Sequence, residues 1–169
     1  MIDLSNLSPV HLEPTVVNCY DFFDRLIPAG MTDLTDGIYH GDESLSYEQA
    51  QENQANWLLD QVGCTERSRI LGIGCGNGRL LAVERRGAKP IGVTIRRSNC
   101  RRVRGLDMRL LNYRELGEGW NGRFDGIVAN GSIEHFVQPR DVAAGRMDQI
   151  HREHRPYGPA YPRPDACHR

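Results

Sequence analysis

Arg69-Ile70-Leu71-Gly72-Ile73-Gly74-Cys75-Gly76-Asn77-Gly78 is a short apolar run that breaks into alternating glycines. It reads as a buried strand, a tight turn and the start of a helix. Glycine admits φ > 0 and lacks the Cβ that keeps a ligand off the main chain, and a helix start offers N–H groups without an intrahelical acceptor. A nucleotide-type ligand can lie against such a backbone; the bland alternative is a turn and nothing more. A dinucleotide fingerprint requires G-x-G-x-x-G with an acid roughly 20 residues on. Counted from Gly72 the third glycine falls on Asn77, and from Gly74 on Arg79, so both registers fail. Gly74-x-Gly76-x-Gly78 suits S-adenosylmethionine instead, which carries no pyrophosphate and needs backbone proximity around its amino acid and ribose.

Working outward, Arg79 to Arg86 is helical with Leu80, Leu81 and Val83 apolar, and it ends at Gly87. Pro90 to Ile95 predicts a second strand, with the proline where no ladder N–H is needed. Met108 to Leu111 predicts a third, ending at Asn112-Tyr113, and Phe124 to Asn130 a fourth, followed by Gly131-Ser132-Ile133-Glu134-His135. Upstream, Ser46-Tyr47-Glu48-Gln49 has the form of a capping box. Behind it Ala50, Trp57, Leu58 and Val62 predict one helix face, and Gly63 a stop. Thr15 to Leu26 carries Val16, Val17, Tyr20, Phe23 and Leu26 at helical spacing, a helix read as a lid. Residues 27 to 45 form an irregular connection. Strands alternating with helices in this way indicate an α/β fold with a parallel sheet and right-handed crossovers.

Composition bounds the partners. With 169 residues, 39% of them apolar, the chain is one domain's worth. A net charge of -1 gives no global electrostatic case for nucleic acid. No apolar run approaches the roughly 18 residues of a membrane span. Met1-Ile2-Asp3-Leu4-Ser5 lacks a basic segment followed by an apolar one, so a cytoplasmic location is expected. The five cysteines are scattered without a C-x-x-C pair, which argues against a zinc site or a disulfide framework. Cys75 is read as packing, not as a nucleophile. Five arginines fall between Arg96 and Arg104, a solvated helix face in preference to a phosphate site because no aromatic residues interleave them. The nineteen residues His151 to Arg169 hold three of the six histidines and four of the nine prolines, and disorder is expected there. His151-x-x-His154 lacks further ligands, so no metal is expected. The organisation is then an arm and lid helix over 1–45, a ligand-binding domain over 46–150, and a tail over 151–169.

With these motifs laid out, the chain resembles the cyclopropane-fatty-acyl-phospholipid synthase and mycolic acid methyltransferase family of class I S-adenosylmethionine-dependent enzymes, from about Tyr20 to Gln138. Ile70 to Gly78 stands for the family's L-D-I-G-C-G-x-G, Gly92-Val93-Thr94-Ile95 for its G-V-T-L-S, Leu111 to Arg114 for its D-Y-R, and Phe124 to Val128 with Glu134-His135 for its F-D-x-I-V-S…E-H. The resemblance implies an incomplete Rossmann-like class I methyltransferase fold, with a parallel sheet of about four strands and flanking helices. It implies that Gly72, Gly74, Cys75, Gly76 and Gly78 hold the methionine end of S-adenosylmethionine, and that Thr94 and Ile95 border the ribose. Asn99 stands where the family has Gln. Asn112 or Tyr113 would reach the adenine edge, with Trp120 stacking on it. Glu134 would help to hold a bound bicarbonate that removes a proton from the product, with His135 beside it, and the implied acceptor is an unsaturated acyl lipid, presented at a membrane surface. Nothing in the sequence fixes the oligomeric state.

Departures from the family pattern matter. Gly72 replaces an Asp that takes hydrogen bonds from the cofactor, Arg96 replaces a Ser, and Ile38-Tyr39-His40-Gly41 stands for a Tyr-Ser-Cys bicarbonate segment. The family continues through three more strands and an acyl-binding insertion, where this chain has its His/Arg/Pro-rich tail. A truncated or frame-shifted product is therefore expected. Three readings stay open: a methyltransferase, a non-catalytic remnant of one, and an NADP-type Rossmann protein using Arg96 and Arg97 for a 2′-phosphate.

Overall fold

The computed structural model describes residues 14–26, 35–76, 79–102, 106–136 and 143–145. Residues 1–13 of the arm expected over 1–14, the 151–169 tail with its His151 and His154, and Gly78 lie outside the described residues, while Pro14 begins the first helix. The elements are α1 (Pro14–Leu26), α2 (Tyr47–Gln61), β1 (Arg69–Ile73), α3 (Arg79–Arg85), β2 (Lys89–Thr94), α4 (Arg97–Arg102), β3 (Asp107–Leu110) and β4 (Gly126–Val128). Three 3-10 turns, Tyr113–Glu115, Glu118–Trp120 and Ile133–His135, complete them.

All strand pairings are parallel, in the order β3-β2-β1-β4. The chain runs outward from β1 through β2 to β3, then returns to pair β4 on the other side of β1. In open α/β sheets that reversal opens a crevice beyond the carboxyl ends of the strands. The glycine turn sits there. β1 can occupy the centre because its residues serve both faces. Ile70 joins Ala55, Leu59, Ala82, Val83 and Ala88 under α2 and α3. Leu71 and Ile73 join Val93, Tyr113, Leu116, Phe124 and Phe136 on the opposite face.

Local chemistry sets the element ends. The Ser46 hydroxyl accepts the Gln49 N–H at 3.2 Å and the Gln49 side chain accepts the Ser46 N–H at 2.8 Å, closing the expected capping box. The face that α2 buries differs from the one expected. Ala50, Gln51, Ala55 and Leu59 are buried, whereas Trp57 remains 48% exposed. Ala55 and Leu59 pack with Ile70, Ala82 and Val83, which turns Trp57 outward, and a Cβ on Gly37 would fall 2.4 Å from the Ala50 Cβ, so only a small side chain lets segment 35–38 run along the helix. Tyr47 Oη and Gln51 Nε2 donate to the Thr35 carbonyl, and Asn53 Nδ2 donates to that of Ile38. β4 is shorter than the expected Phe124–Asn130. Phe124 turns into the core, the Asp125 carboxylate accepts the Arg69 N–H at 2.7 Å, and Asn130 leaves the ladder to donate its amide to Gln54. Among the described residues no helix is long and apolar enough to cross a membrane.

Candidate functional site at the carboxyl edge of the sheet

The floor of the site is the turn that ends β1. Gly74 and Gly76 adopt φ of 62° and 55°, left-handed values that cost a residue with a Cβ about 1 to 2 kcal/mol. Gly74 N–H donates to Val93 O at 2.9 Å, which ties the turn to β2. On the other side Ser132, beyond β4, donates its hydroxyl to Ile73 O at 2.8 Å. A Cβ on Gly74 would lie 2.4 Å from the Ser132 Cβ, whereas one on Gly76 meets nothing within 4 Å. The two glycines thus do different work: one admits the latch, and the other leaves main chain open. Cys75 between them is buried, with its thiol 3.7 Å from Val93 O and 3.3 Å from Met108 Sδ. Burial pushes that thiol up to about 12, so it is inert packing, as its small size in the turn suggested.

Gly72 pairs with Gly92 and Val128 in the middle of the sheet. It lines a small hollow on the α2/α3 side, with Leu59, Ile70, Ile73, Cys75, Val83, Val128 and Asn130. Among the described lining residues Asn130 carries the one side-chain amide.

α1 is tied to the chain beyond β2 and beyond β4. At the β2 side Arg96 donates from Nε and Nη2 to Asp21 Oδ1, at 3.2 and 2.8 Å, and its guanidinium lies 5.7 Å from the Tyr20 ring centroid. At the β4 side the Tyr20 hydroxyl donates to Gly131 O at 3.1 Å and lies 2.9 Å from His135 Nε2. A hydroxyl proton directed at Gly131 leaves Nε2–H to donate to the Tyr20 oxygen. Because β2 and β4 flank β1, a helix fixed at both spans the crevice. The side chain of Arg96 is only 8% exposed. The expectation of a solvated arginine face therefore fails at its first member, and a 2′-phosphate would have to displace Asp21 from Arg96.

The remaining walls come from the loops after β2, β3 and β4. Thr94 is buried, and its hydroxyl oxygen accepts from the Arg96 N–H and the Asn99 amide; Ile95 is half-buried. Asn112 caps the 3-10 turn after β3 by accepting the Arg114 N–H at 3.0 Å. Asn99 Oδ1 and Asn112 Nδ2 are buried polar atoms without a hydrogen-bond partner, an unmet acceptor and an unmet donor at the same edge. Such atoms are costly unless something completes them. Tyr113 is turned into the core, stacked on Phe136 at 4.1 Å with its oxygen accepting from Arg114 Nε. Trp120 is stacked on Phe124 at 5.8 Å and covered by Arg109 at 5.0 Å, so its faces are already engaged. Glu134 lies in the Ile133–His135 turn, its side chain outside the described residues; His135 is half-buried. Among the described residues no cluster of His, Cys, Asp and Glu could hold a metal. Sequence reasoning missed Asp21 and Ser132, and named Arg96 without its partner. Only the Gly-Ser step after β4 gave a local hint, because the other two meet across 75 residues.

Comparison with known proteins agrees with this architecture. No curated protein matches in sequence. Among solved structures, the mycolic acid cyclopropane synthase CmaA1 complexed with SAH and CTAB superposes with a TM-score of 0.61 at 22% identity, over 81% of this chain and 50% of that one. The cyclopropane synthase MmaA2 from Mycobacterium tuberculosis gives 0.62 at 21%, over 82% and 49%. The cyclase SpnF gives 0.56 at 24%, over 66% and 47%. At these identities the likeness establishes the class I methyltransferase fold, and the chain spans about half the length of the structures it matches. Residues 18–143, well over half of the chain, match the family described as mycolic acid cyclopropane synthetase. On that match this chain belongs to the mycolic acid cyclopropane synthetase family.

Proposed function

We propose that the chain binds S-adenosylmethionine at the carboxyl edge of its sheet, in the cytoplasm, and acts as a methyltransferase of the cyclopropane synthase type on an unsaturated acyl lipid. The observation that carries this reading is the open main chain at Gly76, left-handed and with nothing within 4 Å of its Cβ position, at the end of the central strand. A nucleoside sulfonium fits there without the third glycine that a diphosphate would need.

When bound, S-adenosylmethionine supplies an electrophilic methyl group. The residues of this chain supply placement. Gly76 lets the ligand approach the main chain, Gly74 admits Ser132, and Ser132 and Val93 hold that turn still. Orientation of this kind is the main contribution a protein makes to an in-line displacement. Glu134 and His135 follow β4, where the resemblance puts the groups that handle the departing proton together with bicarbonate. Tyr20 fixes the His135 ring from above, at 2.9 Å.

Calorimetric titration of the full chain tests the reading. Saturable micromolar binding of S-adenosylmethionine and S-adenosylhomocysteine with none of NADP is expected; silence toward both, or tight NADP binding, refutes it. Transfer of labelled methyl to vesicles of cis-unsaturated phospholipid, and not to saturated ones, tests the acceptor.

A further inference from the structure

No acid lies between Glu84 and Asp107. β2 therefore ends, at Thr94-Ile95-Arg96-Arg97, without the carboxylate that nucleoside sites of this topology commonly carry there for the ribose hydroxyls. The structure brings one from another element. We infer that Asp21 of α1 is the ribose-binding carboxylate of this chain, carried to the end of β2 by Arg96; the inference rests on the S-adenosyl ligand proposed above.

The geometry of the pair supports a ligand role. Both guanidinium donors from Arg96 converge on Asp21 Oδ1, and among the described residues Oδ2 has no partner. The burial of the two partners is unequal: the Arg96 side chain is 8% exposed and that of Asp21 46%. The cation is thus the buried support and the anion keeps an open side. A pair with one partner this exposed contributes little stability by itself. It does fix where a carboxylate sits.

Neighbouring contacts hold that position. Tyr20, one residue earlier, lies against the Arg96 guanidinium and is hydrogen-bonded to Gly131 O beyond β4. Arg96 is itself anchored, its N–H donating to Thr94 Oγ1 at 3.2 Å. Asp21 is therefore referred to the same two strand ends that flank the glycine turn. A carboxylate with one free oxygen accepts from vicinal hydroxyls. An Asn in its place keeps the shape but loses the charge.

The test uses the full chain and two ligands, S-adenosylhomocysteine and its 2′,3′-dideoxy analogue, titrated by calorimetry into the native protein and Asp21→Asn. Asp21→Asn is expected to bind S-adenosylhomocysteine about tenfold to a hundredfold more weakly, and to bind the dideoxy analogue as the native protein does. Equal weakening toward both ligands would make Asp21 a strut for α1 and overturn the inference, as would unchanged affinity for S-adenosylhomocysteine. Arg96→Lys, which keeps the charge but not the fork, is expected to show the same selective loss, and an equal loss on both ligands would count against it. A native protein that ignores S-adenosylhomocysteine refutes the proposed function, and this inference with it. Native binding with an indifferent Asp21→Asn refutes the inference alone.

Discussion

Gly74→Ala and Gly76→Ala are the same substitution two residues apart, and the structure gives them unequal consequences. Each places a Cβ on a left-handed residue, which costs about 1 to 2 kcal/mol. For Gly76 no further cost arises, because the new methyl meets nothing within 4 Å. For Gly74 the methyl arrives 2.4 Å from the Ser132 Cβ and 2.8 Å from its hydroxyl. Ser132 must then move, which gives up its buried bond to Ile73 O and leaves that carbonyl unsatisfied, a loss of about 1 to 3 kcal/mol. Gly74→Ala should therefore lower stability by about 2 to 5 kcal/mol in urea melts, against about 1 to 2 for Gly76→Ala. Ser132→Gly removes the clashing Cβ, so adding it to Gly74→Ala should cost less than the two single changes summed. Ligand affinity should rank differently, since a methyl on Gly76 projects into the open space meant for ligand. Equal destabilisation at the two positions, or strict additivity with Ser132→Gly, refutes the latch.

Other expectations follow from single contacts. Ser46→Ala removes one half of the capping box and should destabilise by about 1 kcal/mol in denaturant titration. The Cys75 thiol, raised by burial from 9.0 to about 12, favours folding while protonated. That contribution is complete below pH 9 and is lost as pH rises toward 12, by about 1.4 kcal/mol per pH unit. Cys75→Ala should flatten this alkaline decline, and thiol alkylation of the folded protein at pH 8 should spare Cys75 while reaching the exposed Cys19. Gly72→Asp puts a carboxylate beside a hollow lined, among the described residues, by apolar side chains, Cys75 and Asn130. The free variant should be less stable by about 1 to 3 kcal/mol, while affinity for S-adenosylhomocysteine should rise about tenfold, measured by calorimetry.

The sheet was legible because its signals are local. The run Arg69–Ile73 needs no neighbour to declare itself a doubly buried strand, and Ser46 and Gln49 satisfy one another within a single helical turn. The glycine turn was legible as a turn, but the different work of Gly74 and Gly76 was not, since it depends on Ser132, 59 residues from Ile73. Trp57 was expected inside and lies outside, because Ala55 and Leu59, packed with Ile70, Ala82 and Val83, decide which face of α2 turns inward. The arginines after β2 looked like one solvated cluster. Arg96 separates from them only when α1 supplies Asp21 and Tyr20, contacts that no spacing along the chain encodes.

The most direct test of a nucleoside site at the carboxyl edge is a residue-resolved amide spectrum of the labelled chain titrated with S-adenosylhomocysteine. Saturable shifts are expected at Gly74, Cys75 and Gly76, at Thr94 to Asn99, at Asn112, and on α1 at Tyr20 and Asp21, with β3 at Asp107 unmoved. Shifts confined to other surfaces, or none at concentrations that saturate binding, would contradict it.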